Sequence, residues 1–130
     1  MLGGARNRER LTVAAVDLAA HGPGRFEGLC IDLTSQDAPE LVAAWATERW
    51  EALDIVVHSA GVMLHNDGGL MAEPEGVLED SLNMNLLAPF RLTRALLPLL
   101  RKGREPRIIN VGSGAGTLYG LTEPGIRRTD

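Results

Sequence analysis

Ser113 follows a short apolar run, Ile108-Ile109-Asn110-Val111, and stands between two glycines. In α/β proteins a polar side chain directly after a buried strand lies at the carboxyl edge of the sheet, where ligands bind. A serine hydroxyl there orients a reacting oxygen, but proton transfer needs an acid or a base beside it. Ser113 is therefore the first candidate catalytic residue, and its partner has to come from elsewhere.

A second candidate, Asn85, lies inside an apolar helix predicted over residues 77–102. Pro89 has no N–H, so it cannot donate to the carbonyl oxygen of Asn85, four residues earlier. Two interpretations stay open: a tolerated kink, or a deliberate acceptor for a water molecule.

Alternating helices and strands form the predicted scaffold. Helices are expected over residues 8–20, 37–50 and 77–102, and strands over residues 26–31, 53–57 and 107–111. His21-Gly22-Pro23-Gly24 ends the first helix, and Asp37-Ala38-Pro39-Glu40 has the spacing of a capping box. This order predicts parallel βαβ units in one α/β domain, residues 1–130, with a doubly wound sheet.

The helix over residues 77–102 carries more apolar positions than one buried face needs. One stripe is Leu78, Leu82, Leu86, Phe90, Thr93, Leu97 and Leu100, and Met84, Leu87, Ala95 and Leu99 widen it. We expect the sheet to cover one side of the helix and a partner another, so homo-oligomers through helix 77–102 are a candidate assembly.

Composition excludes several classes of function. The 130 residues are 45% hydrophobic and 23% charged, and a net charge of −4 gives no reason to expect nucleic acid or a membrane surface as partner. Cys30 is the single cysteine, which excludes an internal disulfide, and its apolar neighbours predict a buried thiol. No run reaches the roughly 18 apolar residues of a membrane span, and no secretory signal is evident, so the expected location is cytoplasmic.

Four motifs in order resemble the short-chain dehydrogenase/reductase family. They are Asp32-Leu33, the run from Asp54 to Gly61, the run from Asn85 to Phe90, and the run from Ile108 to Ser113. Leu2 to Leu11 also resembles the end of the family's second strand and the helix after it. The resemblance implies a Rossmann-like fold and hydride transfer between a nicotinamide cofactor and a carbonyl or alcohol substrate.

The resemblance also assigns roles to residues. The implied cofactor-binding residues are Arg6, Asp32, Leu33, Ser59, Ala60 and Gly61. Asp32 would accept a hydrogen bond from the adenine amino group, and the segment from Ser59 to Gly61 would pass the adenosine ribose. Arg6 would pair with a ribose 2′-phosphate, which favours NADP over NAD; a plain surface charge is the alternative.

The catalytic roles that the resemblance implies fall on Asn85 and Ser113. The main-chain carbonyl of Asn85 would hold a water of a proton relay, and Ser113 would bind the substrate oxygen. Family members usually carry Asn-Asn-Ala-Gly where this chain has His58-Ser59-Ala60-Gly61, so His58 is a departure that would replace a structural hydrogen bond. We expect no metal at His58 and His65, since no third ligand lies nearby.

Two of the family's motifs are not found in these 130 residues: the glycine-rich phosphate loop and the Tyr-x-x-x-Lys pair. Gly125-Ile126-Arg127-Arg128 stands near the position of the second, and Tyr119 comes too early. We therefore expect an inactive piece, truncated at both ends, whose strand edges near Phe26–Ile31 and Leu53–Val57 do not pair. A gene fragment, a frameshifted product and part of a longer enzyme all stay open.

Two other classes of function remain. A non-catalytic interaction protein would oligomerise through helix 77–102. A free-standing nucleotide-binding module would use the glycine turn from Gly112 to Gly116, although that turn has no lysine and no helix after it.

Overall fold

The computed structural model of the protein describes residues 1–21, 24–63 and 74–113. Parallel strands alternate with helices throughout this part of the chain, as the hydrophobic pattern predicts. In chain order the elements are β1 (Leu2–Ala5), α1 (Arg8–Ala20), β2 (Glu27–Cys30), α2 (Ala38–Thr47), β3 (Ile55–His58), α3 (Val77–Leu82), a π-helical segment (Asn83–Leu87), α4 (Ala88–Leu100) and β4 (Arg107–Asn110).

The strands form two parallel pairs. Strand β1 pairs with β2, with Ala5 opposite Cys30, and β3 pairs with β4, with His58 opposite Asn110. Within the described residues neither pair joins the other, so the expectation that the edges of β2 and β3 stay unpaired is confirmed. The result is a partial Rossmann-like α/β fold.

The main core lies where α2 and α4 pack against each other and against β3. Its buried side chains are Val42, Ala46, Val56, Leu92, Leu96, Leu99 and Leu100. Gly103, after α4, closes the base of this core, because a Cβ there would lie 2.2 Å from the carbonyl oxygen of Leu53. The Leu53 N–H donates to the Leu99 carbonyl oxygen at 3.1 Å, so the entry to β3 is fixed to the end of α4.

Helix α1 has the predicted bounds. The Asn7 side chain accepts a hydrogen bond from the Arg10 N–H at 2.9 Å, which caps the first turn. Leu11 is the buried residue of this helix, and it packs over Gly28, where a Cβ would lie 3.3 Å from its side chain. The helix is therefore held mainly by one buried contact and a good cap.

Two local predictions are wrong. Asp37 does not cap α2 with its side chain; the Ser35 hydroxyl donates to that carboxylate instead, and α2 ends at Thr47 rather than at Trp50. The Cys30 thiol is exposed rather than buried, since it lies beside the turn after β1, with its Sγ 3.5 Å from the Arg6 carbonyl oxygen.

The predicted buried side of helix 77–102 is also wrong in its first half. Leu78, Leu82, Leu86 and Phe90 are 65%, 45%, 58% and 62% exposed. The buried positions are Met84, Ala88, Leu92, Leu96, Leu99 and Leu100. From Leu82 to Phe90 each exposed residue is followed two positions later by a buried one, so the two stripes lie on opposite faces of this part of the helix. Packing against α2 and β3 selects the second stripe.

Among the described residues no helix is long and apolar enough to cross a membrane. The same part of the chain contains no group of three histidine, cysteine, aspartate or glutamate side chains arranged to hold a metal ion.

Candidate functional site

The candidate site residues follow the carboxyl ends of the strands. Arg6 follows β1, Asp32 follows β2, the segment from Ser59 to Gly61 follows β3, and Ser113 follows β4. Because the strands within each pair are parallel, the loops of each pair leave the same edge. The structure thus brings the predicted residues to carboxyl edges, one group on each pair of strands.

Asp32 is held by a tight local turn. Its Oδ1 accepts hydrogen bonds from the Thr34 N–H at 2.9 Å and from the Thr34 hydroxyl at 2.7 Å. These two bonds, with a smaller contribution from the positive charge of Arg6, hold the pKa of the Asp32 carboxyl below its usual range. Asp32 therefore stays ionised at neutral pH, with Arg6 on the same side of the β1–β2 pair.

This edge offers a ligand one carboxylate acceptor and one cationic donor. Both Thr34 bonds use Oδ1, so within the described residues Oδ2 of Asp32 keeps its capacity to accept an N–H. The exposed Arg6 guanidinium supplies a fork of donors for an anionic group. Leu33 is half-buried against the core, which leaves its backbone as the contribution it can make.

Asn85 fixes the loop that follows β3. Its Oδ1 accepts from the Val62 N–H at 2.9 Å, and its Nδ2 donates to the Val62 carbonyl oxygen at 2.8 Å. A Cβ at Gly61 would lie 3.3 Å from the same Oδ1, so glycine suits the close approach of this loop to Asn85. Ser59 and Ala60 stay exposed beside it.

The helix is interrupted where the sequence predicts. Asn83–Leu87 form a π-helical segment, and the Ala88 N–H donates to the Asn83 carbonyl oxygen, five residues earlier. Pro89 has no N–H to give to the Asn85 carbonyl oxygen, which removes the partner that an α-helix would supply. The side chain of Asn85 is bonded to the loop after β3, and its main-chain carbonyl oxygen lies at the interruption of the helix.

His58 links three elements. It is buried, its Nε2 lies 2.7 Å from the Thr93 hydroxyl oxygen in α4, and its carbonyl oxygen accepts from the Val111 N–H at 2.9 Å. Burial lowers the pKa of the imidazole, which keeps it neutral. A structural hydrogen bond from His58, as expected from the sequence, ties β3 and β4 to α4.

Ser113 is exposed just beyond β4. Since β4 pairs with β3, the serine and the loop from Ser59 to Gly61 leave adjacent strands. The glycine turn after Ser113, together with Tyr119, His65 and the run from Gly125 to Arg128, lies outside the described residues.

Three residues at these edges were not singled out from the sequence: Thr34, Val62 and Asn83. Val62 contributes only backbone groups, which a pattern of side chains does not predict. A signal for Asn83 did exist, because a second asparagine two residues before Asn85 is unusual in so apolar a helix.

Comparison with known proteins gives one consistent result. A family model described as short chain dehydrogenase matches residues 1–124. The 3-oxoacyl-[acyl-carrier-protein] reductase FabG of Vibrio cholerae serotype O1 is 36% identical over 92 residues, which are 71% of this chain and 37% of that protein. Serine 3-dehydrogenase of Agrobacterium fabrum is 30% identical over 138 residues, 98% of this chain and 52% of that protein.

Solved structures agree with the sequence relatives. The RhlG/NADP active-site complex of Pseudomonas aeruginosa superimposes with a TM-score of 0.78 at 29% identity, over 86% of this chain and 44% of that one. A metagenomic short-chain oxidoreductase in complex with NADP gives 0.78 at 28% identity, over 86% of this chain and 50% of that one. The chain thus spans about half, or less, of the proteins that it resembles.

Proposed function

Because the chain belongs to the short-chain dehydrogenase family, we propose that it is part of an NAD(P)-dependent oxidoreductase that transfers hydride between a nicotinamide cofactor and a carbonyl or alcohol substrate. The observation that carries this proposal is the clamp of Asn85 on the backbone of Val62. It fixes the helix interruption to the loop after β3, at an edge that also receives Ser113.

The adenosine end of the cofactor would be held by the β1–β2 pair. Asp32 would accept from the adenine amino group through Oδ2, with the Leu33 backbone beside it, and Arg6 would pair with a 2′-phosphate. The exposed guanidinium next to an ionised Asp32 supports NADP over NAD. Two solved relatives contain NADP, in agreement with this choice.

The reacting end would be held by the β3–β4 pair. The loop from Ser59 to Gly61 would pass the ribose, with Gly61 allowing close approach of the backbone. Ser113 would donate to the substrate oxygen, and the Asn85 carbonyl would accept from a water that moves a proton. A bound nicotinamide would supply or accept the hydride.

As residues 1–130 stand, we propose that no turnover occurs. The sequence contains no Tyr-x-x-x-Lys, so the acid that the family uses to protonate the oxygen that Ser113 would hold is not among these residues. The test is NADPH oxidation by the isolated chain with a panel of aldehydes and ketones. Turnover that Ser113→Ala abolishes would overturn this part of the proposal and would mean that a group other than the family's tyrosine supplies the proton.

Binding of nucleotide by the isolated chain tests the cofactor assignment. We expect weak binding of 2′,5′-ADP, followed by backbone amide shifts at Asp32 and Thr34, and about tenfold weaker binding of 5′-ADP, because one charge-assisted contact is lost. Arg6→Ala should remove the preference, whereas Arg8→Ala, an exposed arginine on α1, should keep it. Equal binding of both nucleotides by the wild type would remove the NADP preference.

The second candidate function is assembly through helix 77–102, without catalysis. The exposed stripe of Leu78, Leu82, Leu86 and Phe90 favours it, since contiguous apolar surface on a helix marks contact sites. Leu82→Glu with Leu86→Glu should reduce the mass measured by light scattering to that of a monomer. The matched pair Val13→Glu with Val16→Glu, exposed on α1, should not, and a monomeric wild type would refute this candidate.

A further inference from the structure

Asn83, the first residue of the π-helical segment, lies between two loops that carry candidate cofactor and catalytic residues. Its Nδ2 donates to the Thr34 carbonyl oxygen at 3.3 Å, and its Oδ1 accepts from the Arg91 guanidinium at 3.1 Å. The partners fix the orientation of the amide, because a carbonyl only accepts and a guanidinium only donates. All three residues are half-buried, which shields the bonds from water.

The contact on Thr34 continues to Asp32. The N–H and hydroxyl of Thr34 both donate to the Asp32 carboxylate, while its carbonyl accepts from Asn83. Thr34 therefore connects the carboxylate after β2 with the helix interruption, because it is hydrogen-bonded on both sides. Two residues further along the same π-helical segment, Asn85 clamps Val62 after β3.

From this geometry we propose that Asn83 is a positioning residue, which Arg91 orients and which holds the Asp32–Thr34 turn against the π-helical segment. The inference rests on the proposed function, since that function gives Asp32 its role toward adenosine. Asn83 and Asn85 then form a pair: one fixes the loop of the β1–β2 pair and the other the loop of the β3–β4 pair. In the described residues no strand joins these two pairs, so side-chain contacts of this kind, together with the packing of Leu29 and Ile31 against the core, set the distance between the two ends of the site.

The deciding experiment compares Asn83→Ala with the wild-type chain by NMR. We expect the pKa of the Asp32 carboxyl to rise toward its ordinary value of 3.8, because the Thr34 donors that lower it are no longer held in place. Affinity for 2′,5′-ADP should fall about threefold to tenfold, as for one lost hydrogen bond. The amide signal of Val62 should not change.

Two further variants separate the bonds of Asn83. Asn83→Asp keeps an acceptor for Arg91 but cannot donate to Thr34. It should therefore shift the Thr34 signals and lower the affinity for 2′,5′-ADP, as Asn83→Ala does. Arg91→Lys keeps the Asn83 side-chain amide, so it should have a smaller effect on the Thr34 signals and on the affinity for 2′,5′-ADP. Glu79→Ala, on the exposed face of α3, is the matched control for a change of helix propensity and should leave all signals of the loop unchanged.

Two outcomes overturn the proposal. A folded Asn83→Ala chain with the wild-type Asp32 pKa and wild-type Thr34 signals shows that the contact positions nothing. Equal perturbation of Thr34 and Val62 shows a general structural role instead. If Asn83→Ala does not fold, the Thr34 and Val62 signals of Asn83→Asp and Arg91→Lys test the proposal instead. A wild-type chain that binds no nucleotide counts against the proposed function alone, because the Asp32 and Thr34 signals still test the positioning.

Discussion

The base of the molecule and its carboxyl edges are held together in different ways. The base, formed by α2, α4 and the entry to β3, buries a continuous set of aliphatic side chains. At the edges, Arg6, Asp32, Asn85 and Ser113 are all exposed, and a few side-chain hydrogen bonds fix the loops. Stability and candidate chemistry therefore reside in separate regions, and substitutions in each region should affect one property much more than the other.

The largest effect on stability is expected from Leu96→Ala in the base. Leu96 is 4% exposed in the core between α2 and α4, so truncation removes buried surface and leaves a cavity. The free energy of unfolding should fall by about 2–5 kcal/mol. Urea denaturation followed by circular dichroism measures it. Leu86→Ala, at an exposed leucine of the π-helical segment, should change the free energy of unfolding by less than about 0.5 kcal/mol.

A second substitution in the base adds atoms instead of removing them. Gly103→Ala would bring a Cβ to 2.2 Å from the Leu53 carbonyl oxygen, and backbone on both sides has little freedom to move. We expect a loss of about 1–3 kcal/mol in the free energy of unfolding. Gly24→Ala, with no atom within 4 Å of the added Cβ, is the control. Equal urea midpoints for both variants would mean that the Leu53 backbone moves easily enough to accept the added methyl group.

Helix α1 lies outside the base, and its cap should show an intermediate effect. Asn7→Ala removes the acceptor for the Arg10 N–H and should lower the free energy of unfolding by about 1 kcal/mol. Asn7→Asp keeps an acceptor at the same place and should restore most of it. Amide hydrogen exchange of α1 measures the local effect. A loss spread evenly over α1 and α4 would contradict the separation of the two regions.

The smallest effect is expected at His58, where the base meets the edge. Burial puts the pKa of its imidazole below the ordinary 6.5, so the unfolded chain binds a proton at a higher pH than the folded chain does. Stability is therefore complete above pH 6.5 and decreases as the pH falls below it. Urea midpoints at pH 7.5 and 5.5 should differ less in His58→Asn than in the wild type. If the variant shows the same difference in urea midpoint as the wild type, other groups cause the pH dependence of stability.

Local signals account for what the sequence predicts well. The run from His21 to Gly24 acts within a few residues, so the end of α1 follows without tertiary information. The Asn7 cap is equally local, although it was not singled out from the sequence. The interruption near Asn85 follows in the same way, from the missing N–H of Pro89. The parallel pairing of strands follows from the helices that separate them.

Long-range packing decides what the sequence does not predict. Helix 77–102 offers two apolar stripes on opposite faces, and periodicity cannot choose between Leu86 and Met84 as the buried one. The role of Asn83 depends on a carbonyl 49 positions away in the chain. Cys30 has apolar neighbours in sequence, but it lies at the end of a short strand beside the turn after β1, and its thiol is exposed.

The π-helical segment makes the helix sensitive to length. Asn83–Leu87 contain one residue more than regular α-helical turns need, and each residue of an α-helix turns the chain by about 100°. A deletion of one residue there would close the wide turn into regular α-helical turns, so that Asn83 and Asn85 could no longer both keep their contacts with Thr34 and Val62. Substitutions within the segment leave its number of residues unchanged. In related sequences, insertions and deletions should therefore collect in other parts of this helix and its loops, and spare these five positions.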